Sequence, residues 1–98
     1  MFVDRRSVPR PQAAEPAKAI LSAHRRVPCV ITDLNEKGAR LGFGDIVQLP
    51  KAFEIAVSDD PRRNLTVHTV WQHGRAAGVQ FHPTMVERVR DLIVRLIP

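Results

Sequence analysis

The feature that most constrains the fold is a regular alternation of apolar and polar residues along the chain. Phe53, Ile55 and Val57 are separated by polar or small residues. Val79 and Phe81 follow the same spacing. A period of two is typical of β-strands that bury one face. The sequence predicts about six short strands, of which the other four lie within 17–25, 27–33, 39–43 and 67–72.

The last segment changes to a helical period. Its apolar residues share one face, which predicts an amphipathic α-helix over residues 83–98. Thr84 and Glu87 have the spacing of a capping box, in which the Thr84 hydroxyl accepts from the Glu87 backbone amide. We expect the helix to pack on the strands of its own chain, because so small a core needs the cover. Its apolar face consists of Val86, Val89, Leu92, Ile93, Leu96 and Ile97.

The length of 98 residues allows one domain, which we take to span 1–98. Residues 1–16 differ from the rest, because three prolines interrupt any helix or central strand there. We predict a flexible arginine-bearing arm over 1–16, strands over 17–82 and the helix over 83–98. About six short antiparallel strands in so small a domain most easily form a closed barrel or a tight sandwich.

The charge balance points to an anionic partner. The chain has 15 Lys and Arg against 10 Asp and Glu, a formal net charge of +5. This excess favours nucleic acid, a nucleotide, a membrane surface or an acidic protein. No stretch approaches the roughly 20 apolar residues that cross a bilayer. Arg5, Arg6 and Arg10 stand where the apolar core of a signal peptide would be, so we expect a cytoplasmic domain.

No set of catalytic or metal-binding residues is evident. Cys29 is the only cysteine, which excludes an internal disulfide, and we expect it to be buried in a strand. None of the four histidines has a second His or Cys at local metal-ligand spacing. The serines lack a nucleophile-elbow context. We therefore predict no catalytic residue, no metal and no cofactor, and a protein that is not an enzyme.

Trp71 is the only tryptophan of the chain. In the alternating pattern of its predicted strand, it lies on the same face as Val67 and Thr69, which we take to be the buried face. Packing in the core or at its rim is therefore expected. A stacking platform for a base is the alternative.

Two short stretches carry the candidate binding residues. Arg6 and Arg10 are four residues apart on a proline-stiffened segment, and their guanidiniums can pair bidentately with phosphate or with guanine O6 and N7. Asp33 and Asn35 suit a turn, and the Asp33 carboxylate could accept from guanine N1–H and N2–H₂. Gly38 permits a positive φ angle there. Taken singly, the first stretch is more often a solvated basic terminus and the second an ordinary turn.

In this order and separation, the two stretches resemble the PilZ domain family, the bacterial receptors of cyclic di-GMP. That family carries an RxxxR arm and, roughly one strand later, a [D/N]xSxxG turn. Arg6 and Arg10 match the arm, and Asp33 and Gly38 match the turn. The family's turn serine is Asn35 here.

The resemblance covers about residues 4–82 and implies a six-stranded antiparallel β-barrel with a flexible N-terminal arm and one C-terminal helix. It also implies a non-catalytic receptor of cyclic di-GMP, whose arm orders over the nucleotide and changes the surface offered to a protein target. The arm arginines would meet phosphates and guanine Hoogsteen edges, and the aspartate would meet a guanine Watson–Crick edge. By this resemblance, the ligand-binding residues would be Arg5, Arg6, Arg10, Asp33, Asn35 and Gly38.

Two other functions stay open at the level of sequence. The first is a PilZ-like adaptor that does not bind the nucleotide and acts through protein contacts, a possibility raised by Asn35. The second is a small basic barrel that binds RNA or single-stranded DNA. Against the second, the chain has four phenylalanines, one tryptophan and no tyrosine, and no basic-aromatic strand pattern. Nucleic acid is therefore not the expected partner.

Overall fold

The computed structural model of the protein describes residues 15–96. Most of the predicted arm precedes this range. Arg5, Arg6 and Arg10 therefore lie outside the described residues, as does Ile97 of the predicted helix face.

Six strands form a closed antiparallel barrel. They are β1 (Glu15–Ser22), β2 (Arg25–Thr32), β3 (Gly38–Phe43), β4 (Ala52–Ala56), β5 (Leu65–His73) and β6 (Ala76–Phe81). Around the barrel their order is β1-β2-β3-β6-β5-β4. The barrel closes where β1 pairs with β4, Lys18 lying opposite Ala56 and Ile20 opposite Glu54. The predicted β-barrel is confirmed, and β1 begins two residues before the predicted start of the strands at position 17.

The inward-facing residues of the strands form one apolar core. In β4, Phe53 and Ile55 are buried while Glu54 is exposed, as the period-two pattern predicts. Leu41, Ile55 and Leu65 are completely buried. Each large apolar side chain buried in this way stabilises the fold by about 1.5–3 kcal/mol. Cys29 is buried in β2, as expected, and its burial raises the pKa of the thiol to about 11.

Antiparallel pairing brings several connections to one end of the barrel, which we call the helix end. β1 begins there at Glu15, which is opposite Ile31 near the end of β2. β3 begins there at Gly38, which is opposite Gln80 near the end of β6. The β2–β3 connection over 33–37 and the helix that follows β6 therefore lie at the same end.

The C-terminal segment packs against the barrel, as predicted. It forms a 3₁₀ turn (Pro83–Met85) and the helix α1 (Val86–Leu96). Met85, Val89 and Leu92 are buried in the barrel core. Ile93 and Leu96 are partly buried against it. Within residues 15–96, no helix has both the length and the apolar character needed to cross a bilayer.

A hydrogen-bonded chain anchors α1 to the barrel. The Arg88 Nη1 atom donates to the backbone oxygen of Asn64 at 2.7 Å. Asn64 follows the 3₁₀ turn that leads into β5, and its Nδ2 donates to Glu54 Oε1 at 3.1 Å. The helix is thus tied by a charged side chain to the β4–β5 connection as well as by apolar packing.

Two details of the helix differ from the prediction. Val86 is 49% exposed, so the buried stripe begins one turn later, at Val89. The Thr84 hydroxyl lies 2.9 Å from the Nδ1 atom of His82. The His82 ring also accepts from the Thr84 backbone amide at 3.2 Å, so His82 caps the 3₁₀ turn. Thr84 belongs to that turn, and this places it before the helix rather than at its cap.

The prediction that Trp71 points toward the buried face of its strand is wrong. The pairing of β5 with β6 shifts between Thr69, which is opposite Val79, and Trp71, which is opposite Gly78. Val70 is the extra residue of this β-bulge. Because side chains alternate between faces, one extra residue turns Trp71 to the outside of the barrel. The side chain is 43% exposed there.

Candidate functional site

The β2–β3 connection is a turn held together by one side chain. The Oδ1 atom of Asn35 accepts from the backbone amides of Lys37 at 2.7 Å and Gly38 at 3.1 Å. The backbone amide of Asn35 donates to the Gly38 carbonyl oxygen at 3.0 Å. The side-chain oxygen of Asn35 is therefore used inside the turn, an Asx-type arrangement. Its amide nitrogen carries two donors that a ligand could meet.

The left-handed backbone of this turn is at Asp33 and not at Gly38. Asp33 has a φ angle of 50°, whereas Gly38 has none in the positive range. Aspartate tolerates this conformation better than most residues. Gly38 is needed for a different reason, since a Cβ atom there would clash with the backbone oxygen of Val79 on the neighbouring strand. Gly38 thus does not use the positive φ that glycine permits, and close strand packing explains the glycine.

The turn forms one wall of a shallow surface groove of about 500 Å³. Three predicted binding residues, Asp33, Asn35 and Gly38, line it together. The opposite wall comes from the outer faces of β3, β5 and β6. The remaining lining residues are Lys37, Ala39, Arg40, Val70, Trp71, Gly78, Val79 and Gln80.

A row of three residues crosses the outer wall of this groove. Arg40 is opposite Gly78 in the β3–β6 pair, and Trp71 is opposite Gly78 in the β5–β6 pair. The indole lies against Gly78, where a Cβ atom would come within 2.6 Å of the ring atom Cε2. The Arg40 guanidinium lies over the indole, 5.8 Å from the ring centroid. This distance is within the range of a cation–π contact.

The groove offers complementary groups to a guanine nucleotide. The Asp33 carboxylate can accept from the N1–H and N2–H₂ edge of guanine. Lys37 and Arg40 are cations that can donate to phosphate oxygens. The exposed indole of Trp71 is a surface on which a base can stack.

A family model describing the PilZ domain matches residues 4–97 of the chain. The match spans the barrel, the 33–38 turn and all of α1. The chain belongs to the PilZ domain family. PilZ domains are known as non-catalytic binding domains and are generally receptors of cyclic di-GMP. No curated protein and no solved structure matches the chain significantly.

The sequence did not identify two cations of the PilZ groove as candidate binding residues, and it predicted the wrong face of the barrel for the Trp71 ring. Lys37 lies inside the family's turn motif and Arg40 is two residues after its last glycine, yet neither is a motif position. A period-two pattern starting at Gly38 places Arg40 on the outer face, which was an available signal. Trp71 was expected in the core or at its rim. Its place on the groove wall depends on the bulge at Val70, which the strand pattern does not reveal.

The turn of this PilZ domain is joined to the strand that leads into the helix. The backbone amide of Phe81 donates to the Lys37 carbonyl oxygen at 2.8 Å. Leu34, on the other side of the turn, is partly buried against the barrel core. The groove wall is therefore hydrogen-bonded to the last residue of β6, two residues before the C-terminal segment begins.

A larger cavity of about 850 Å³ lies elsewhere on this PilZ domain. It is lined mainly by apolar residues of β1, β2 and β3 and of the β4–β5 connection, with Lys18, Arg26 and Asp59 as its charged groups. None of the predicted binding residues in the described range lines it. Among residues 15–96 there is also no cluster of three or more His, Cys, Asp or Glu that could hold a metal.

Proposed function

We propose that this PilZ domain is a non-catalytic receptor of cyclic di-GMP that binds the nucleotide in the groove beside the 33–38 turn. The main support is that the residues at three positions of the family's turn pattern, two of which match it, line one groove together with two cations and an exposed indole. An acceptor for guanine, donors for phosphate and a stacking ring are the groups that this ligand requires. They meet here on one surface.

The turn residues have distinct roles in this proposal. Asp33 holds the Watson–Crick edge of a guanine through two accepted hydrogen bonds. Asn35 donates from its amide nitrogen to a phosphate, while its oxygen keeps the turn closed. Gly38 lets β3 lie close to β6 and so fixes the position of the turn.

The arm supplies the remaining cations. Arg6 and Arg10 meet phosphate oxygens and guanine Hoogsteen edges, and Arg5 makes an additional phosphate contact. β1 starts at Glu15, opposite Ile31, which is two residues before Asp33. The five residues from Arg10 to Glu15 can span at most about 17 Å, so the Arg10 side chain is within reach of the turn.

The energetics favour a salt-sensitive complex of moderate affinity. Ordering the arm costs about 1–2 kcal/mol for each backbone residue that becomes fixed. Charge-assisted hydrogen bonds to two phosphates and two guanines offset this, at about 1.5–3 kcal/mol each. The ordered arm then presents a changed surface to a target protein in the cytoplasm.

An adaptor that does not bind the nucleotide is the second candidate. It is favoured by the outer face of α1, where Val86 is 49% exposed and Val94 is 68% exposed. Two exposed valines eight residues apart are available to a protein partner.

Titration of the full chain with cyclic di-GMP, by calorimetry and backbone amide shifts, distinguishes these candidates. The receptor predicts saturable heat, with the largest shifts in residues 5–10 and 33–38. Arg10→Ala and Asp33→Ala abolish both signals. Arg25→Ala removes an exposed arginine at the opposite end of the barrel and leaves them unchanged.

The absence of heat and shifts at near-millimolar nucleotide would reject the receptor and favour the adaptor. Binding to unrelated oligonucleotides that is insensitive to Arg10→Ala would instead favour a nucleic-acid protein.

A further inference from the structure

Among residues 15–96, Trp71 is the one aromatic side chain that lines the groove and on which a base could stack. The Val70 bulge turns it outward, and Gly78 supports it from the barrel side. The Arg40 guanidinium lies over the same ring, 5.8 Å from its centroid. The side chain of Trp71 is 43% exposed, and a base that takes the position of the guanidinium over the ring must displace it.

The contact between Arg40 and Trp71 is a weak one. Both side chains are exposed, and exposed cation–π pairs are among the weaker interactions of charged groups. A hydrogen bond from the same guanidinium to a phosphate is considerably stronger, particularly when it is bidentate. A ligand that brings a phosphate to the groove therefore offers Arg40 a better partner than the indole.

A ligand without phosphate offers a weaker exchange. An uncharged nucleoside has no anionic group for the guanidinium, and the O6 and N7 atoms of its guanine are neutral acceptors, so the displacement of Arg40 from the ring is less well compensated. The same residue then favours one ligand and opposes the other.

We propose that Arg40 covers the indole of Trp71 in the free protein and selects for phosphate-bearing ligands, because a phosphate draws the guanidinium away and frees the ring for stacking by a base. The selectivity rests on the proposed function of the groove, since it assigns the ligand's base to this ring. Arg40 is thus a specificity-determining residue that discriminates nucleotides from nucleosides.

The experiment compares cyclic di-GMP and guanosine on the wild-type chain and on Arg40→Ala. We expect Arg40→Ala to weaken cyclic di-GMP binding about tenfold, because a charge-assisted bond is lost. We expect the same change to strengthen guanosine binding by about two- to fivefold, because the ring is no longer covered. Arg25→Ala is the matched control and leaves both affinities unchanged.

Opposite changes for the two ligands would support the proposal. A loss of affinity for both ligands, or no change for either, would overturn it. A thermal melt of each variant excludes general unfolding as the cause, since a folded Arg40→Ala protein melts close to the wild type.

A second measurement needs no ligand. Trp71 is the only tryptophan, so quenching of its fluorescence by acrylamide reports access to this ring alone. Faster quenching in Arg40→Ala than in the wild type supports the proposal that Arg40 covers the indole, and equal quenching overturns it. If the wild type does not bind cyclic di-GMP, the proposed function and the selectivity both fail, while the quenching result still decides whether Arg40 covers the ring.

Discussion

The side-chain oxygen of Asn35 accepts a hydrogen bond from the backbone amide of Gly38 at 3.1 Å. With the second bond from Lys37, this closes the turn that carries the aspartate of the family motif. The residue that departs from the family's serine is therefore a structural element of the turn. Its replacement tests the turn separately from the ligand.

Asn35→Ala should lower the free energy of unfolding by about 1 kcal/mol, because two backbone donors lose their acceptor. Asn35→Ser should lower the free energy of unfolding by less, since a hydroxyl can accept from the same amides, though more weakly. Urea unfolding measures both. Glu36→Ala, at an exposed neighbour in the same turn, serves as control. If Asn35→Ala and Glu36→Ala unfold alike, the turn does not depend on Asn35.

Gly38→Ala should destabilise the barrel by about 1–3 kcal/mol, because the new methyl group meets the Val79 carbonyl and forces β3 away from β6. Gly44→Ala is a matched control, since its Cβ would have no heavy atom within 4 Å. Chemical denaturation should show a clear loss of stability for Gly38→Ala and almost none for Gly44→Ala. Equal stability of the two variants would contradict the close approach of the strands.

Gly78→Ala should displace the Trp71 indole from its position on the groove wall. The new methyl group would occupy the space of the ring atoms Cε2 and Cδ1, at 2.6 and 2.7 Å. We expect a shift of the tryptophan emission maximum and weaker binding of cyclic di-GMP in a chain that still folds. An unchanged emission spectrum would show that the ring does not lie against Gly78.

Leu92→Ala should cost about 2–5 kcal/mol of stability, because it leaves a cavity where α1 packs on the barrel. Leu92 is 1% exposed, whereas Val94, two residues on, is 68% exposed. Val94→Ala should therefore change the free energy of unfolding by less than about 0.5 kcal/mol. A small effect of Leu92→Ala would mean that the helix contributes little to the core.

The buried thiol of Cys29 gives the stability a dependence on alkaline pH. Burial raises its pKa to about 11 from an ordinary value of 9.0, although a contact with the Ala19 backbone partly opposes this shift. Between these values the unfolded chain loses the proton and the folded chain keeps it, so stability falls as the pH rises. The slope is at most about 1.4 kcal/mol per pH unit. The wild type should therefore lose more free energy of unfolding between pH 8 and pH 10.5 than Cys29→Ala does.

A thiol reagent offers an independent check. At pH 8 the folded chain should react slowly at Cys29, at a rate set by unfolding, and denaturant should accelerate the reaction. Rapid labelling of the folded chain would contradict the burial of the thiol.

Much of the fold could be predicted because it follows from local patterns. Alternating residues such as Phe53 and Ile55 identify strands and their buried face, and a helical period identifies α1. The approximate position of the turn also follows from local sequence, since Asp33 and Asn35 favour a turn wherever they stand. These features depend on residues close together in the chain.

The remainder depends on contacts between distant segments. Trp71 turns outward because the β5–β6 pairing contains a bulge, and a single strand's pattern does not disclose how its partner is aligned. Gly38 is required by the neighbouring Val79, which is far away in sequence. Arg40 became a candidate only once Trp71 and Gly78 were found beside it. The arm arginines lie outside the described residues, so their roles remain predictions.

The closure of the barrel limits how this domain can communicate. β1 and β4 join through the pairs from Lys18 with Ala56 to Ile20 with Glu54, and this short seam completes the ring of hydrogen bonds. Within residues 15–96 every strand of the barrel has a paired neighbour on both sides, so no whole strand edge is free for a partner to extend with a strand of its own, the mode known as β-augmentation. We expect recognition to use side chains of the outer wall, the loops or the helix instead. A ligand that rearranges side chains in the groove alters one of these surfaces directly.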